Sequence, residues 1–113
     1  MCGCCDFGWH LLKSLVHDGM HFDHLVHLTP GQGQRNNVAG YRDFSALAEK
    51  HLIPVYNPKK YSLKDPEDIA FFKKHKFDLL IQGGWQRLYP EEVLETLGFG
   101  AIGVHGSSDP LPK

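Results

Sequence analysis

The chain has 113 residues, of which 42% are hydrophobic and 22% are charged, and its formal net charge is −1. This length fits one domain, and the composition is that of a globular protein rather than a disordered one. The balanced charge does not indicate a nucleic acid or an anionic membrane as a partner. No apolar run reaches the roughly 18–20 residues of a membrane-spanning helix, and the first residues lack the pattern of a signal peptide. We therefore expect no membrane association and a cytoplasmic location.

Short apolar runs bounded by turn residues alternate along the chain with amphipathic segments. The runs predict strands at 22–28, 53–57, 77–82 and 101–105, with 1–5 as the stub of another. Apolar residues spaced three and four apart predict helices over 8–16, 41–51, 65–76 and 90–97. The sequence Asp65-Pro66-Glu67-Asp68 is typical of a helix start, whereas 29–40 lacks periodicity and predicts a mobile surface loop.

Strands that alternate with helices of about ten residues predict βαβ units. The expected fold class is therefore α/β, with a doubly wound, Rossmann-like parallel sheet. In such sheets, ligands bind beyond the carboxyl ends of the strands, near the point where the strand order reverses. His105 stands at one such end, and Gly83-Gly84 stands at another.

Neither the cysteines nor the histidines form a pattern that predicts a metal site. Cys2, Cys4 and Cys5 have no second cysteine pair downstream, and adjacent residues of a strand point to opposite faces. Three histidines recur every three residues, which also alternates faces on a strand, so we expect surface or partly buried roles: His21, His24 and His27.

The opening GCCDFG lies where a strand would meet a helix, which is the position of a dinucleotide-binding turn. Its two glycines have the wrong spacing for the G-x-G-x-x-G fingerprint. A tight turn is the favoured interpretation, and phosphate binding is the weaker alternative.

Three segments resemble the N-terminal domain of the 10-formyltetrahydrofolate-dependent formyltransferases, a family with methionyl-tRNA, glycinamide ribonucleotide and sugar-nucleotide branches. GCCDFGWHLL is similar to the family's first turn and helix, and DLLIQGGWQRLYPEEVL to its fourth strand and pterin-binding loop. AIGVHGSSDPLP is similar to the strand and loop that most members write N-x-H-x-S-L-L-P. The resemblance covers essentially the whole chain, and its His-Gly-Ser stretch is the most specific part.

The resemblance implies the site residues and the substrates. His105 would be the catalytic acid–base group, because an imidazole titrates near neutral pH. The reduced pterin would lie against a loop, and further residues would line the substrate: Trp85, Gln86, Arg87, Leu88 and Tyr89 for the pterin, and Asp6, Phe7, Gly103 and Ser107 for the substrate. The formyl donor would be 10-formyltetrahydrofolate, and the acceptor an amine of tRNA-linked methionine or of an amino-sugar nucleotide.

Several departures from the family pattern affect this interpretation, among them the loop after Ser107, where Ser108-Asp109-Pro110 replaces Leu-Leu-Pro or is an insertion before Leu111-Pro112. Gly103 occupies the place of the family's asparagine, so the side-chain amide that would stabilise an oxyanion is missing. The family's catalytic aspartate lies beyond Lys113, and the first strand begins late. We therefore expect residues 1–113 to be a single partial formyltransferase N-terminal domain, truncated at both ends.

Two alternatives stay open from the sequence. Trp85 and Leu88 could be ordinary core residues at a strand end, with Arg87 on the surface. The chain could also be a non-catalytic α/β module that binds a folate or a nucleotide, or an inactive product.

Overall fold

The computed structural model describes residues 1–104. Its elements follow one another in this order: β1 (Cys2–Gly3), α1 (Asp6–His17), β2 (Leu25–Val26), α2 (Pro30–Arg35), α3 (Ser45–Lys50), β3 (Val55–Tyr56), α4 (Pro66–His75), β4 (Leu79–Gly83), α5 (Glu91–Leu94) and β5 (Gly100–Val104). These strands form one parallel sheet in the order β3-β2-β1-β4-β5. The predicted doubly wound, Rossmann-like α/β class is confirmed.

The two faces of the sheet carry separate apolar clusters, because alternate strand residues point to opposite sides. On one face, Leu25 packs with residues of α1 and α3. On the other face, Val26 and Leu80 pack with residues of α4 and α5. The strands β1 and β2 are therefore buried, as the continuous apolar runs of the sequence predict, whereas Val55, Leu79 and Ile102 of the other strands are exposed.

The predicted start of α4 is confirmed, whereas the prediction of a loop over 29–40 is wrong. The Asp65 carboxylate accepts a hydrogen bond from the Glu67 backbone N–H, so α4 begins where the sequence indicates. The segment 29–40 is not a loop throughout, because Pro30–Arg35 is helical. Thr29 and Gln32 cap this helix reciprocally, each side chain binding the other's backbone N–H. The T-P-x-Q pattern is the signature of this capping box.

Other predicted elements are shorter than expected. The helix expected over 41–51 spans only Ser45–Lys50, because Tyr41 instead pairs with Cys5 in an isolated antiparallel bridge. The last helix ends at Leu94. The strands expected at 22–28 and 53–57 shrink to Leu25–Val26 and Val55–Tyr56.

Helix α1 approaches β4 so closely that only glycine fits at the contact. A Cβ atom on Gly8 would overlap the carbonyl oxygen of Gly83, and a Cβ on Gly83 would lie 3.1 Å from the Cα of Gly8. The backbones of the helix and the strand therefore touch directly, which fixes the start of α1 beside the end of β4.

His27 follows β2 and joins three parts of the fold. Its side chain is 2% exposed, which corrects the expectation of a surface or partly buried role. Its Nδ1 lies 2.9 Å from the Gly3 carbonyl oxygen, and its Nε2 accepts the Phe44 backbone N–H at 3.0 Å. A neutral imidazole that donates from Nδ1 satisfies both bonds. Burial lowers the pKa of His27, although the Gly3 carbonyl and the Asp43 carboxylate act in the opposite direction.

Within residues 1–104, no helix combines the length and the apolar character that crossing a membrane requires.

We expect Gly8→Ala to lower the free energy of unfolding by about 1–3 kcal/mol, the usual cost of overpacking. The measurement is urea unfolding followed by circular dichroism. Gly31→Ala in α2 is the matched control, because its Cβ would meet its nearest atom at 3.6 Å, an ordinary contact. Equal stability of the Gly8→Ala and wild-type chains would contradict the direct backbone contact.

We expect the chain to lose stability as the pH falls below about 6.5, the ordinary histidine pKa. The folded-state pKa of His27 is lowered, so the unfolded chain binds this proton first and acid favours unfolding. The pKa of His24 is also lowered, mainly by burial, so it adds to the same slope. Unfolding free energies measured between pH 5 and 8 should show the slope reduced in His27→Gln and retained in part in His24→Gln. A slope that His27→Gln leaves unchanged would contradict this role.

Candidate functional site

The strand order places a crevice at the carboxyl ends of β1 and β4. These two strands are neighbours at the centre of the sheet, and the chain leaves them toward opposite edges. This is the switch point where open α/β sheets bind their ligands. We call the segments that follow the two strands, 4–7 and 84–89, the walls of the switch-point crevice.

Gly84 brings the two walls together. Its φ of +77° lies in the left-handed region, and a Cβ atom there would stand 2.5 Å from the Cys5 sulfur and 3.6 Å from the Phe7 ring. Any other residue at this position would be strained and would collide with the opposite wall. The glycine therefore sets how closely the pterin loop of the sequence prediction approaches the first turn.

The base of this loop is anchored in the core. Trp85 is 3% exposed, its ring meets Tyr61 edge-on, and its Nε1 donates to the Tyr61 carbonyl oxygen at 3.2 Å. The Trp85 carbonyl accepts a hydrogen bond from the Gln82 side chain, and the Gln86 N–H donates to the Tyr61 hydroxyl at 2.8 Å. The Trp85 side chain is therefore a core residue, as the alternative interpretation of the sequence predicts.

The tip of the loop is open to solvent. Gln86, Arg87 and Leu88 are exposed, Leu88 to 91%. The Arg87 guanidinium lies over the Tyr61 ring at 4.6 Å from its centroid, a cation–π contact. The backbone N–H and C=O groups of Arg87 and Leu88 form no hydrogen bond within the described part of the chain. Leu88 is therefore not the core residue of the alternative interpretation, whereas Arg87 does lie on the surface.

Tyr89 closes the loop and turns inward. Its hydroxyl is buried and has no hydrogen-bond partner among the residues that the structure describes. Burial and the neighbouring Cys2 thiol raise the pKa of Tyr89 above its ordinary value, so the hydroxyl stays protonated and can act as a donor.

The opposite wall begins with Asp6 and Phe7. The Asp6 carboxylate accepts a hydrogen bond from the Arg42 guanidinium at 2.7 Å, and His10 Nε2 lies 3.5 Å from it. Arg42 also stacks over the Trp9 ring at 3.6 Å. The Asp6 side chain is therefore already paired with the Arg42 guanidinium, whereas the half-buried Phe7 ring faces the Gly84 turn.

Gly103 lies on β5 opposite Gln82 of β4. A Cβ atom on Gly103 would stand 2.9 Å from the Gln82 Oε1, so the glutamine carboxamide occupies the space beside this glycine. The atom beside Gly103 is the amide oxygen, an acceptor, because the Gln82 Nε2 donates to the Trp85 carbonyl oxygen. His105 and Ser107, the two other loop residues of the sequence prediction, lie outside the described residues.

The three cysteines are buried and do not converge. Cys4 contacts the Tyr61 hydroxyl, whereas Cys5 contacts the carbonyl oxygens of Gly83 and Gly84. Burial raises the pKa of Cys2 to about 11 and that of Cys4 to about 12, so both remain thiols at neutral pH. Within residues 1–104, no three histidine, cysteine or acidic side chains gather as a metal site requires.

Sequence reasoning missed two residues of this site, Tyr61 and Gln82. Tyr61 lies in an aperiodic loop between β3 and α4, and nothing in its neighbourhood indicates that it reaches the crevice. Gln82 carried a signal, because a polar residue interrupts the otherwise apolar strand Leu79–Gly83 just before its end.

The chain is similar in sequence to known proteins. No protein-family model matches the chain. A methionyl-tRNA formyltransferase of Bacillus velezensis is 30% identical over 105 residues, which are 93% of this chain and 32% of that protein. One of Bacillus cereus is 31% identical over 105 residues, 93% of this chain and 33% of the relative.

A shorter match has higher identity. A methionyl-tRNA formyltransferase of Staphylococcus epidermidis is 40% identical over 67 residues, which are 59% of this chain and 20% of that protein. The chain spans about a third or less of the length of these curated relatives. The matches give no support to the glycinamide ribonucleotide and sugar-nucleotide branches of the resemblance. The chain is thus similar to methionyl-tRNA formyltransferases over most of its own length.

Proposed function

We propose that the chain provides the folate-binding part of a formyltransferase that moves a formyl group from 10-formyltetrahydrofolate to the amine of tRNA-linked methionine. Two lines support the donor: the similarity to methionyl-tRNA formyltransferases over 93% of the chain, and the crevice at the carboxyl ends of β1 and β4. The relatives are named methionyl-tRNA formyltransferases, and this name supports tRNA-linked methionine as the acceptor.

The observation that carries the proposal is the open tip of the loop after β4. A pterin presents an edge of hydrogen-bond donors and acceptors, and its flat faces are apolar. Arg87 and Leu88 offer backbone groups that no other described residue uses. The exposed Leu88 side chain and the Phe7 ring on the opposite wall can cover the faces.

The proposed chemistry is acyl transfer. The acceptor amine attacks the formyl carbon, a tetrahedral intermediate carries negative charge on oxygen, and the folate nitrogen leaves with a proton. His105 would take the proton from the amine and return it to the leaving nitrogen, which is the role of a general acid–base group.

A folate-binding module without catalysis would use the same crevice, and an amino-sugar nucleotide would use the same chemistry. Binding and transfer measurements separate these functions, because only the donor site is common to all of them.

We expect the chain to bind 5-formyltetrahydrofolate, a stable isomer of the donor, saturably in isothermal titration calorimetry. Leu88→Asp should weaken binding about tenfold or more, since burial of a leucine side chain contributes roughly 1.5–3 kcal/mol. Leu52→Asp is the matched control, because Leu52 is 88% exposed and follows α3, away from the crevice walls. Equal affinities of the two variants would contradict the proposed binding surface.

We expect His105→Ala to lower kcat for formyl transfer by about 10²–10⁴-fold in a protein that carries this chain together with the remaining length of its relatives. The assay compares methionyl-tRNA with an amino-sugar nucleotide as the acceptor. Folate affinity should stay within about twofold of wild type, because the histidine acts on protons. Unchanged kcat would remove His105 from the mechanism, and transfer to the sugar nucleotide alone would overturn the proposed acceptor.

A further inference from the structure

We propose that Tyr61 and Gln82 are positioning residues for the donor, because together they fix one peptide group at the base of the folate loop. The inference rests on the proposed function, since the loop tip is where the pterin would bind. Neither residue belongs to the binding surface that the resemblance implies.

Tyr61 joins the two walls of the switch-point crevice from a third element. Its hydroxyl accepts the Gln86 backbone N–H at 2.8 Å and lies 3.8 Å from the Cys4 sulfur, which follows β1. Its carbonyl oxygen accepts the Trp85 indole N–H at 3.2 Å. The residue is 4% exposed and packs in the apolar cluster of the α4 and α5 face. A rigid, buried side chain thus fixes both the ring of Trp85 and the backbone that follows it.

Gln82 holds the other end of the same peptide group. Its Nε2 donates to the Trp85 carbonyl oxygen, so the C=O of Trp85 and the N–H of Gln86 are bound by two side chains from different elements. Its Oε1 lies beside Gly103, where a Cβ atom would approach to 2.9 Å. The absence of a side chain at Gly103 therefore leaves room for the carboxamide that orients the loop.

This peptide group needs side-chain partners because it lies beyond the sheet. After Gly83, the backbone of β4 has left the ladder that pairs it with β1 and β5. A backbone group without a ladder partner takes its bonds from side chains or from water. The backbone groups of the next two residues, Arg87 and Leu88, bind no other described residue, and the Trp85–Gln86 peptide that precedes them sets their direction. Small errors in the orientation of the groups that contact a ligand lower its affinity. Tyr61 and Gln82 therefore contribute to affinity without touching the folate.

Tyr61→Phe removes the hydroxyl and keeps the ring. Tyr41→Phe is the matched control, because the Tyr41 hydroxyl likewise binds one backbone group, donating to the Leu28 carbonyl oxygen at 2.8 Å, outside the loop. Each variant loses one hydrogen bond to the backbone, so we expect similar drops in thermal stability. Only Tyr61→Phe should weaken binding of 5-formyltetrahydrofolate, by about 3- to 10-fold, the value of one hydrogen bond.

A second readout needs no folate. Amide hydrogen exchange of the free chain, followed by NMR, should show faster exchange at Gln86 in Tyr61→Phe and no change there in Tyr41→Phe. A merely structural role for Tyr61 would change protection across the core instead of at this amide.

Gln82→Met keeps the side-chain length and removes the carboxamide. We expect it to weaken folate binding by a similar factor, and Gly103→Ala to do so as well by displacing Gln82. In the Gln82→Met background, Gly103→Ala should have no further effect on affinity, because the two changes act through one group.

The outcomes separate the inference from the proposed function. If the wild-type chain binds 5-formyltetrahydrofolate and the Tyr61 and Gln82 variants bind it equally well, the positioning role is wrong and the donor site stands. If the wild-type chain does not bind it, the proposed function fails and the positioning role fails with it. Faster Gln86 exchange without weaker binding would also overturn the inference.

Discussion

The contact between α1 and β4 determines where everything else in this molecule lies. Gly8 and Gly83 meet with their backbones touching, and Gly84 then turns the chain against Cys5 in a left-handed conformation. Side chains at these positions would push the helix away from the sheet. Since β1 has only two residues, the close approach on its flank is what keeps its carboxyl end beside that of β4. The crevice exists because these glycines let the two walls approach.

At and beyond the strand ends, buried polar side chains form the hydrogen bonds that hold the backbone in place. His27 links the end of β1 to the backbone at the start of α3, and Tyr61 and Gln82 link the loop after β4 to its surroundings. Each of these bonds joins a side chain to a backbone group at or beyond the end of a strand. Such groups are costly to bury alone, so their side-chain partners fix the loops as well as stabilise them.

The site combines a rigid base with an open tip, an arrangement that suits recognition of a flat heterocycle. Trp85 and Tyr61 are buried and mutually packed, whereas Arg87 and Leu88 are exposed two residues later. The raised pKa values of Cys2 and Cys4 argue against these two thiols as nucleophiles. The proposed donor site lies in a chain that matches about a third of the length of methionyl-tRNA formyltransferases.

The sequence by itself determined the fold class, the order of the elements other than α2, the start of α4 and the family resemblance. These depend on apolar periodicity, local capping and motifs that are contiguous in the chain. The same local rules could have identified α2 from its Thr29 and Gln32 capping box. Only the tertiary structure decided that Trp85 is an anchor and Leu88 is exposed, that His27 is buried, and that Tyr61 and Gln82 hold one peptide. Those outcomes depend on contacts between residues far apart in the sequence, such as Tyr61 and Gln86, and periodicity carries no information about contacts at that separation.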